Sequence, residues 1–372
     1  MEPSPANIRV LVVDDSAVIR ALISDAIAKT PGMEVVGTAV DGQHALAMFE
    51  TIRPDVVTLD LQMPNMDGMA ALDAMLAIRP VPVIIVSSLS QYGAEITLEA
   101  LDRGAFDYVL KPDYGQGTKT AIRDELPRRI RLASGTDVRR ILQIRKERKQ
   151  RRAEPAKPEP KAPAPAATVP AAPVDACIAL GISTGGPPAL TRIFQSLRPP
   201  MPPIVVVQHM PPQFTAPLAW RLDSISALTI LEATDGMVLR PDHVLIAPGG
   251  KHLRVIRCRD CIRAAVRDGP AISGHKPSVD ALMTSAAEVF GDRCLGVIMT
   301  GMGRDGVAGC AAIHAEGGYV LGQDEASSDV YGMNRAAFVE GHVDRQFGLE
   351  QAVAVMARHA RALRDGPVRA RA

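Results

Sequence analysis

The sequence has few aromatic residues and no excess of charge of one sign. Only 3% of its 372 residues are aromatic, and 42 Lys and Arg face 41 Asp and Glu, a net charge of +1. A general attraction to nucleic acid or to an anionic membrane is therefore not expected. Hydrophobic residues still make up 47% of the chain, which suffices for the cores of two or three domains at this length. We expect a globular protein without a nucleic-acid partner.

Long apolar runs and a cysteine framework are also missing. The first apolar run, Ile8–Val13, is too short to span a membrane and is followed by two aspartates. We expect no signal peptide, no membrane insertion and a reducing compartment, the cytoplasm. Among the five cysteines, Cys258 and Cys261 have the spacing of half a zinc site or a redox pair. Because no second pair follows, we interpret them as flanking a hairpin turn.

Residues 1 to about 133 alternate predicted strands and helices, the pattern of a parallel α/β sheet. The predicted strands are 8–13, 34–38, 56–59, 83–86 and 107–110. The predicted helices are 17–29, 42–51, 68–78, 95–103 and 118–132.

Polar side chains follow these strands where each one ends, the edge at which open α/β sheets bind ligands. Asp14 and Asp15 follow the first strand, and Asp60, Ser87 and Lys111 the third, fourth and fifth. Three gathered carboxylates predict a divalent cation such as Mg²⁺, and a lysine with a hydroxyl can hold phosphoryl oxygens. Asp60 is then a candidate phosphoacceptor. Each aspartate alone could be a helix cap or a solvated strand end, but five residues in register favour a site.

This set resembles the response-regulator receiver family over nearly all of the first 130 residues. The matching motifs are Asp14-Asp15, Leu59-Asp60, Met63-Pro64, Asp67-Gly68, Ser87 and Lys111-Pro112. The resemblance implies phosphotransfer from a histidine kinase to Asp60, with Mg²⁺ held by Asp15 and Asp60 and helped by Asp14. It also implies that Ser87 and Tyr108 are the switch residues.

The composition changes after residue 133. Residues 139–161 are strongly basic, and residues 156–173 are almost all Ala and Pro, a composition typical of a semi-rigid linker. The basic run could contact nucleic acid or an anionic membrane, but a solvated helix end and tether fits it better. We predict a first domain over 1–133, a linker over 134–173 and a second domain over 174–372.

The strand–helix alternation resumes in the second domain and predicts another doubly wound parallel sheet, a three-layer αβα arrangement. The predicted strands are 177–180, 204–207, 228–231, 295–299 and 319–321. The predicted helices are 189–197, 214–222, 279–290, 307–316 and 349–364. Short alternating runs over 238–266 predict hairpins.

A candidate nucleophile lies between the first strand and helix of this domain. Gly181-x-Ser183-x-Gly185 matches the strand-to-helix turn on which α/β hydrolases present a serine. The helix start behind it offers unpaired N–H groups to a developing oxyanion. The motif alone fits equally an ordinary glycine-rich turn or a phosphate cradle, so the residues at other strand ends must decide.

Two further strand ends supply the partners that a serine nucleophile needs. His209 follows the strand 204–207, and Asp305 lies in the glycine-rich turn after 295–299, where Met302 could offer an oxyanion N–H. Asp305 alone could be a helix cap. Three other histidines are rival bases, namely His243, His252 and His275. The order Ser…His…Asp differs from that of α/β hydrolases, so this is a different fold.

Residues 176–345 resemble the chemotaxis protein-glutamate methylesterases, the CheB family. The matching motifs are GISTGG at 181–186, QHMP at 208–211, PSVD at 277–280, TGMGRDG at 300–306 and QDEASS at 323–328. The resemblance implies Ser183 as nucleophile, His209 as base and Asp305 as its orienter, with Thr184 and Met302 supporting the oxyanion.

The same resemblance implies the substrate and the partners. The substrates would be glutamate methyl esters, and certain glutamines, on the cytoplasmic domains of chemoreceptors, hydrolysed by a monomer without a cofactor for the ester chemistry. Two alternatives remain at this point: a response regulator whose second domain binds DNA, and a scaffold with an inactive triad.

Overall fold

The computed structural model describes residues 7–88, 90–112, 121–136, 138–139 and 174–366. The chain divides into two compact units, Met1–Ala153 and Glu154–Ala372. The predicted linker, 134–173, lies largely outside the described residues, so the predicted domain limits stay a prediction.

The first unit holds a five-stranded parallel sheet, as its sequence predicted. Its strand order is β2-β1-β3-β4-β5. Its strands are β1 Ile8–Val13, β2 Met33–Ala39, β3 Val56–Leu59, β4 Val83–Ser87 and β5 Asp107–Leu110. Its α-helices are α1 Ala17–Ala28, α2 Gly42–Ile52, α3 Gly68–Ile78, α4 Gln91–Arg103 and α5 Leu126–Ser134, with a π-helix, Ala121–Glu125, before α5.

Capping residues decide where the helices of this unit begin. The side chains of Ser16, Asp41 and Asp67 each accept a backbone N–H at the start of α1, α2 and α3. Helix α4 begins four residues before its predicted start because Ser90 caps it, accepting the N–H of Gly93 at 2.9 Å. The predicted helix over 118–132 begins outside the described residues, and its described part begins as the π-helix.

The second unit holds a seven-stranded parallel sheet in the order β14-β13-β12-β6-β7-β9-β8. Its strands are β6 Cys177–Ile182, β7 Ile204–Gln208, β8 Thr229–Glu232, β9 His243–Ile246, β12 Cys294–Ile298, β13 Tyr319–Gln323 and β14 Arg345–Phe347, and β10 His252–Arg257 pairs with β11 Ile262–Arg267 in an antiparallel hairpin. Its α-helices are α6 Gly186–Ser196, α7 Pro212–Ile225, α8 Val279–Phe290, α9 Val307–Ala315, α10 Met333–Val339 and α11 Ala352–Asp365.

The prediction of hairpins over 238–266 is half right. The hairpin β10–β11 is confirmed, and its turn is closed by the N–H of Cys258, which donates to the carbonyl of Cys261 at 2.8 Å. Strand β9, however, lies parallel between β7 and β8, so the hairpin prediction is wrong there. The short elements α10 and β14 were not predicted, because neither is long enough to show a hydrophobic period.

The order of the strands places an open crevice beside β6. The chain leaves β6 toward β7 on one side and later returns to β12 on the other. Such a reversal is a topological switch point, where ligands bind at the carboxyl ends of the strands. Helix α8 covers this region, since the Val279 side chain packs so closely on Gly181 that a Cβ there would lie 2.2 Å from Val279 Cγ1. None of the helices in the described ranges is long and apolar enough to cross a membrane.

Candidate active site

Ser183 lies directly after β6, between the ends of β7 and β12. Its backbone N–H donates to the carbonyl of Thr300 at 2.9 Å, and its own carbonyl accepts the N–H of Gly186 at 2.8 Å. Gly185 completes this turn at a φ of 79°, a left-handed conformation that glycine adopts without strain. Prolines 187 and 188 then occupy the first turn of α6, where a missing N–H costs little.

The turn after β12 approaches Ser183 so closely that it requires a glycine at position 301. A Cβ on Gly301 would lie 2.7 Å from the Cβ of Ser183 and 2.4 Å from the sulfur of Met333. Real side chains do not tolerate such distances. The glycine therefore lets the 300–306 turn lie against the candidate nucleophile.

His209 and Asp305 form a buried hydrogen-bonded pair. The His209 Nε2 atom lies 2.7 Å from Asp305 Oδ2, and the exposed fractions of the two side chains are 8% and 0%. The other ring nitrogen, Nδ1, is buried and has no hydrogen-bond partner within the described part of the chain. With Nε2 bound to a carboxylate, the imidazole carries its proton there and leaves Nδ1 as the basic nitrogen.

Asp305 receives three more donors from the start of α8. Its Oδ2 accepts the N–H of Val279 at 2.7 Å, while its Oδ1 accepts the Ser278 hydroxyl at 2.8 Å and the N–H of Asp280 at 3.0 Å. Burial alone would raise the pKa of Asp305, but His209 and these backbone N–H groups outweigh it and lower the pKa below its usual value. Asp305 is therefore a buried anion bound to His209, and its role as the orienter of that base stays a prediction.

Ser183 and His209 end neighbouring strands. The N–H of His209 donates to the carbonyl of Ile182 at 3.1 Å, which ties the two strand ends together. The hydrogen bonds found within the described ranges include none between Ser183 Oγ and His209, and such bonds are often long before substrate binds. The role of Ser183 as nucleophile therefore stays a prediction.

The turn after β12 also carries the predicted oxyanion donor. No hydrogen bond among the described residues uses the N–H of Met302, and the Met302 side chain is half-exposed. Thr184, the other predicted support, accepts the Thr300 hydroxyl with its carbonyl at 2.9 Å. These contacts join the turns that follow β6 and β12, and the oxyanion roles of both residues stay predictions.

Two buried glutamines that sequence reasoning missed hold these strand ends. The Gln208 Nε2 group donates to the carbonyl of Ser183 at 3.0 Å and to that of His209 at 3.3 Å. The Gln323 side-chain oxygen accepts the N–H of Thr300 at 2.9 Å. Each glutamine is the last residue of an otherwise apolar strand inside the sheet. That position could have indicated a structural role, since a buried polar group needs hydrogen-bond partners.

None of the three rival histidines is seen to pair with Asp305 among the described contacts. His243 and His252 each bind a backbone carbonyl, those of Pro241 and Pro270. His275 instead stacks on His209, with the ring centroids 3.9 Å apart and the ring planes 2° from parallel. His275 therefore belongs to the surroundings of the candidate base.

In the first unit, the predicted acidic residues gather at the ends of β1 and β3. Carboxylate oxygens of Asp14, Asp15 and Asp60 lie within 4.8 Å of one another. The Lys111 ammonium lies 2.7 Å from Asp60 Oδ2 and 2.9 Å from Asp14 Oδ2. A set of carboxylate oxygens with more negative than positive charge suits the oxygen-preferring Mg²⁺ ion, so the residues fit the predicted cation.

Burial and charge change the pKa values of this cluster. Burial raises the pKa of Asp60, and the nearby Asp14 adds to the rise, while Lys111 only partly opposes it. For Lys111, burial would lower the pKa, but hydrogen bonds to Asp14 and Asp60 outweigh it and raise the value. Asp60 is thus a carboxylate with few donors.

The two predicted switch residues are buried. The Ser87 hydroxyl donates to the carbonyl of Gly93 at 3.2 Å and accepts the Thr97 hydroxyl at 2.7 Å, so it is bound to helix α4. The Tyr108 ring lies under the Arg129 guanidinium, 5.6 Å from it, and burial raises the pKa of its phenol. Their roles as switches stay predictions.

Comparison with known families identifies both units. Residues 178–356 match the family model of the CheB methylesterase, and residues 10–122 match that of the response regulator receiver domain. The boundaries of these matches agree with the two parallel sheets.

Relatives cover nearly the whole chain. A Caulobacter vibrioides protein named protein-glutamate methylesterase/protein-glutamine glutaminase 1 is 45% identical over 345 residues, 92% of this chain and 95% of that protein. A Pectobacterium atrosepticum protein named protein-glutamate methylesterase/protein-glutamine glutaminase is 40% identical over 347 residues, 93% of this chain and 95% of that protein. The crystal structure of the Thermotoga maritima CheB methylesterase catalytic domain is 38% identical, covers 49% of this chain and 97% of that chain, and has a TM-score of 0.48.

Proposed function

The chain belongs to the CheB methylesterase family, and we propose that Ser183, His209 and Asp305 form its catalytic triad. Its activity is the hydrolysis of glutamate methyl esters in proteins, with deamidation of protein glutamine, under the control of a receiver domain. The main support for this proposal is the buried contact of 2.7 Å between His209 and Asp305. Both residues follow strands that lie on either side of the strand before Ser183. A DNA-binding second domain is not supported, because residues 178–356 match a methylesterase.

In the first half-reaction, Ser183 Oγ attacks the γ-carbonyl carbon of the esterified glutamate. Since Asp305 binds Nε2, His209 takes the serine proton at Nδ1. The Asp305 carboxylate stabilises the imidazolium that forms. The carbonyl oxygen becomes an oxyanion, which the N–H of Met302 and the turn at Thr184 would stabilise.

The tetrahedral intermediate then collapses to an acyl-enzyme. His209 returns its proton to the leaving oxygen, and methanol departs. Water attacks the acyl carbon and gives its proton to His209, which passes it to Ser183 Oγ as the glutamate carboxylate is released. With a glutamine side chain, the same steps release ammonia.

The receiver would carry the regulatory chemistry. A histidine kinase donates a phosphoryl group, and a carboxylate oxygen of Asp60 forms the acyl phosphate. Asp15 and Asp60, helped by Asp14, would hold Mg²⁺, which neutralises charge on the carboxylates and on the phosphoryl oxygens. Lys111 would bind a phosphoryl oxygen.

The partners and location follow from this assignment. We propose that the protein acts as a monomer on methylated cytoplasmic domains of chemoreceptors and receives its phosphoryl group from a chemotaxis histidine kinase. We place it in the cytoplasm, in keeping with five cysteines that are all free thiols.

Release of methanol from a methylated receptor fragment tests the triad. Replacing the nucleophile of a serine hydrolase costs about 10⁶-fold in kcat, so Ser183→Ala in the full-length protein should show no measurable hydrolysis. Ser224→Ala is the matched control, since its hydroxyl donates to the carbonyl of Arg221 at the far end of α7, away from Ser183. Wild-type rates from Ser183→Ala would refute the assignment.

A further inference from the structure

Asp280, the second residue of α8, joins three segments around the candidate site. Its Oδ1 accepts the N–H groups of Gly306 and Gly309, both at 2.8 Å, and its Oδ2 accepts the Ser273 hydroxyl at 2.7 Å. The residue is 7% exposed. One buried carboxylate thus holds the end of the 300–306 turn, the start of α9 and the loop before α8.

The two helices that meet here cap each other. Asp305, which precedes α9, accepts the N–H groups of Val279 and Asp280 at the start of α8. Asp280, at the start of α8, accepts N–H groups at the start of α9 in return. Unpaired N–H groups at a helix start are satisfied in this way by acceptor side chains. The exchange fixes Asp305 with respect to α8, and therefore fixes the carboxylate that binds His209.

The third contact of Asp280 reaches the other side of His209. Ser273 lies two residues before His275, whose ring stacks on that of His209 at 3.9 Å. The loop is held further by Lys276, which pairs with Asp268 at 2.8 Å. His209 is therefore bound at its edge by Asp305 and covered on one face by His275, and both supports are connected to Asp280.

We propose that Asp280 is a positioning residue for ester hydrolysis, one that orients the His209 ring by holding Asp305 and the loop of His275 together. The inference rests on the proposed function, since it assigns a support to the same site. The Asp280 carboxylate binds the N–H of Gly306, the residue after Asp305, and the Ser273 hydroxyl, and it acts on the reaction through them. A displacement of about 1 Å in a catalytic group can cost on the order of 100-fold in rate, which gives such a support a measurable effect.

Three full-length variants test this role by methanol release with substrate varied. Asp280→Ala removes all three contacts and should lower kcat roughly 10- to 100-fold, with KM within about 2-fold of wild type. Asp280→Asn keeps an oxygen for the two N–H groups and an amide for Ser273, so it should stay within about 3-fold of wild type. Asp223→Ala is the control. Asp223 lies at the far end of α7, where its side chain accepts the N–H of Ile230, so this variant should keep wild-type kcat.

The outcomes separate this inference from the proposed function. An inactive wild type would refute the proposed function and the inference with it. An active wild type with equal kcat for Asp280→Ala and Asp223→Ala would refute the inference alone. A rise in KM at unchanged kcat would place Asp280 in substrate binding and would also refute it.

The inference can still be tested if the Asp280→Ala variant does not fold. If circular dichroism shows that Asp280→Ala is unfolded, Ser273→Ala decides, because it removes only the hydroxyl that bonds Asp280 Oδ2. We expect kcat to fall roughly 3- to 10-fold, about the effect of one hydrogen bond, in a variant that circular dichroism shows to be folded at the assay temperature. An unchanged kcat would overturn the link to the loop of His275.

Discussion

Asp60 in the receiver and Asp305 in the methylesterase domain are both buried at the carboxyl edge of a parallel sheet, yet their pKa values change in opposite directions. Burial raises the pKa of Asp60, and Asp14 adds repulsion. Burial would also raise the pKa of Asp305, but His209 and the backbone N–H groups of α8 lower it instead. The same position in two similar sheets therefore produces two different carboxylates.

The donors around each carboxylate explain the difference. Asp60 accepts the Lys111 ammonium at 2.7 Å and a distant N–H of Gln62 at 3.3 Å. Asp305 accepts four groups at 3.0 Å or less. A carboxylate short of donors keeps oxygens for a cation and a phosphoryl group, whereas a fully bonded one is a fixed anion. The proposed roles of phosphoacceptor and orienter follow this division.

The largest effect that this comparison predicts is on Asp305. Asp305→Asn places an amide where the imidazole N–H and the N–H groups of α8 need acceptors, so His209 should lose its tautomer and orientation. We expect kcat to fall roughly 10³- to 10⁴-fold, less than for Ser183→Ala, because the acid orients and does not react. Methanol release at saturating substrate measures it.

Asp223→Asn serves as the control for this change. It lies on α7, away from the site, and should keep wild-type turnover. If Asp305→Asn lost less than 10-fold, on the order of one hydrogen bond, Asp305 would be a helix cap only, the alternative reading of the sequence.

The sequence predicted the outline of both sheets for a physical reason. Buried parallel strands are continuous apolar runs between turn residues. All ten predicted strands coincide with observed strands to within two residues at either end. Strand β9 was missed because its run, His243–Ile246, lies among the alternating runs of a real hairpin. Its pairing with β7 and β8 is a long-range contact that no local pattern contains.

The candidate site was predictable in its residue types but not in its supports. Ser183, His209 and Asp305 each lie in the segment that follows a different strand. Because these strands are parallel neighbours, the topology brings the three residues to the same edge of the sheet. That His209 binds Asp305 through Nε2 depends on the ring orientation. That Asp280 faces α9, and that Gln208 bridges two carbonyls, depends on packing between segments far apart in the chain.

A second prediction concerns the other carboxylate. With Mg²⁺ and a small phosphodonor such as acetyl phosphate, methanol release by the full-length wild type should rise about 5- to 150-fold, the usual range of allosteric coupling. Asp60→Asn cannot form the acyl phosphate and should show no rise. Incorporation of labelled phosphate, measured in parallel, reports the modification itself.

Asp67→Asn is the matched control in the receiver. Asp67 caps α3 through the N–H of Ala70, and asparagine caps equally well, so the stimulation should persist. Stimulation of Asp60→Asn equal to that of the wild type would contradict the assignment of Asp60. A wild type that is phosphorylated but not stimulated would mean that the receiver acts by recruitment to its kinase.

The smallest effect is on stability, and it sharpens the comparison within one site. Asp280 lies beside Asp305, yet burial and the charge of Asp305 raise the pKa of Asp280, the direction found for Asp60. A lowered pKa adds stability above the unfolded value of about 3.9, and this is lost as pH falls through the folded pKa. A raised pKa adds stability below about 3.9, and this is lost as pH rises through the folded pKa.

The two asparagine variants should therefore respond to pH with opposite signs. Relative to wild type, the melting temperature of Asp305→Asn should be lowest near pH 7 and recover in part below about pH 4, where the wild type begins to protonate the Asp305 carboxylate and loses the stability of that anion. That of Asp280→Asn should instead improve relative to wild type as pH rises from about 4 to 7, because the wild type then ionises a carboxylate next to an anion. Differential scanning calorimetry of the full chain across this range measures both differences. Equal signs for the two variants would show that Asp280 and Asp305 share one environment, and that donors do not distinguish the carboxylates of this site.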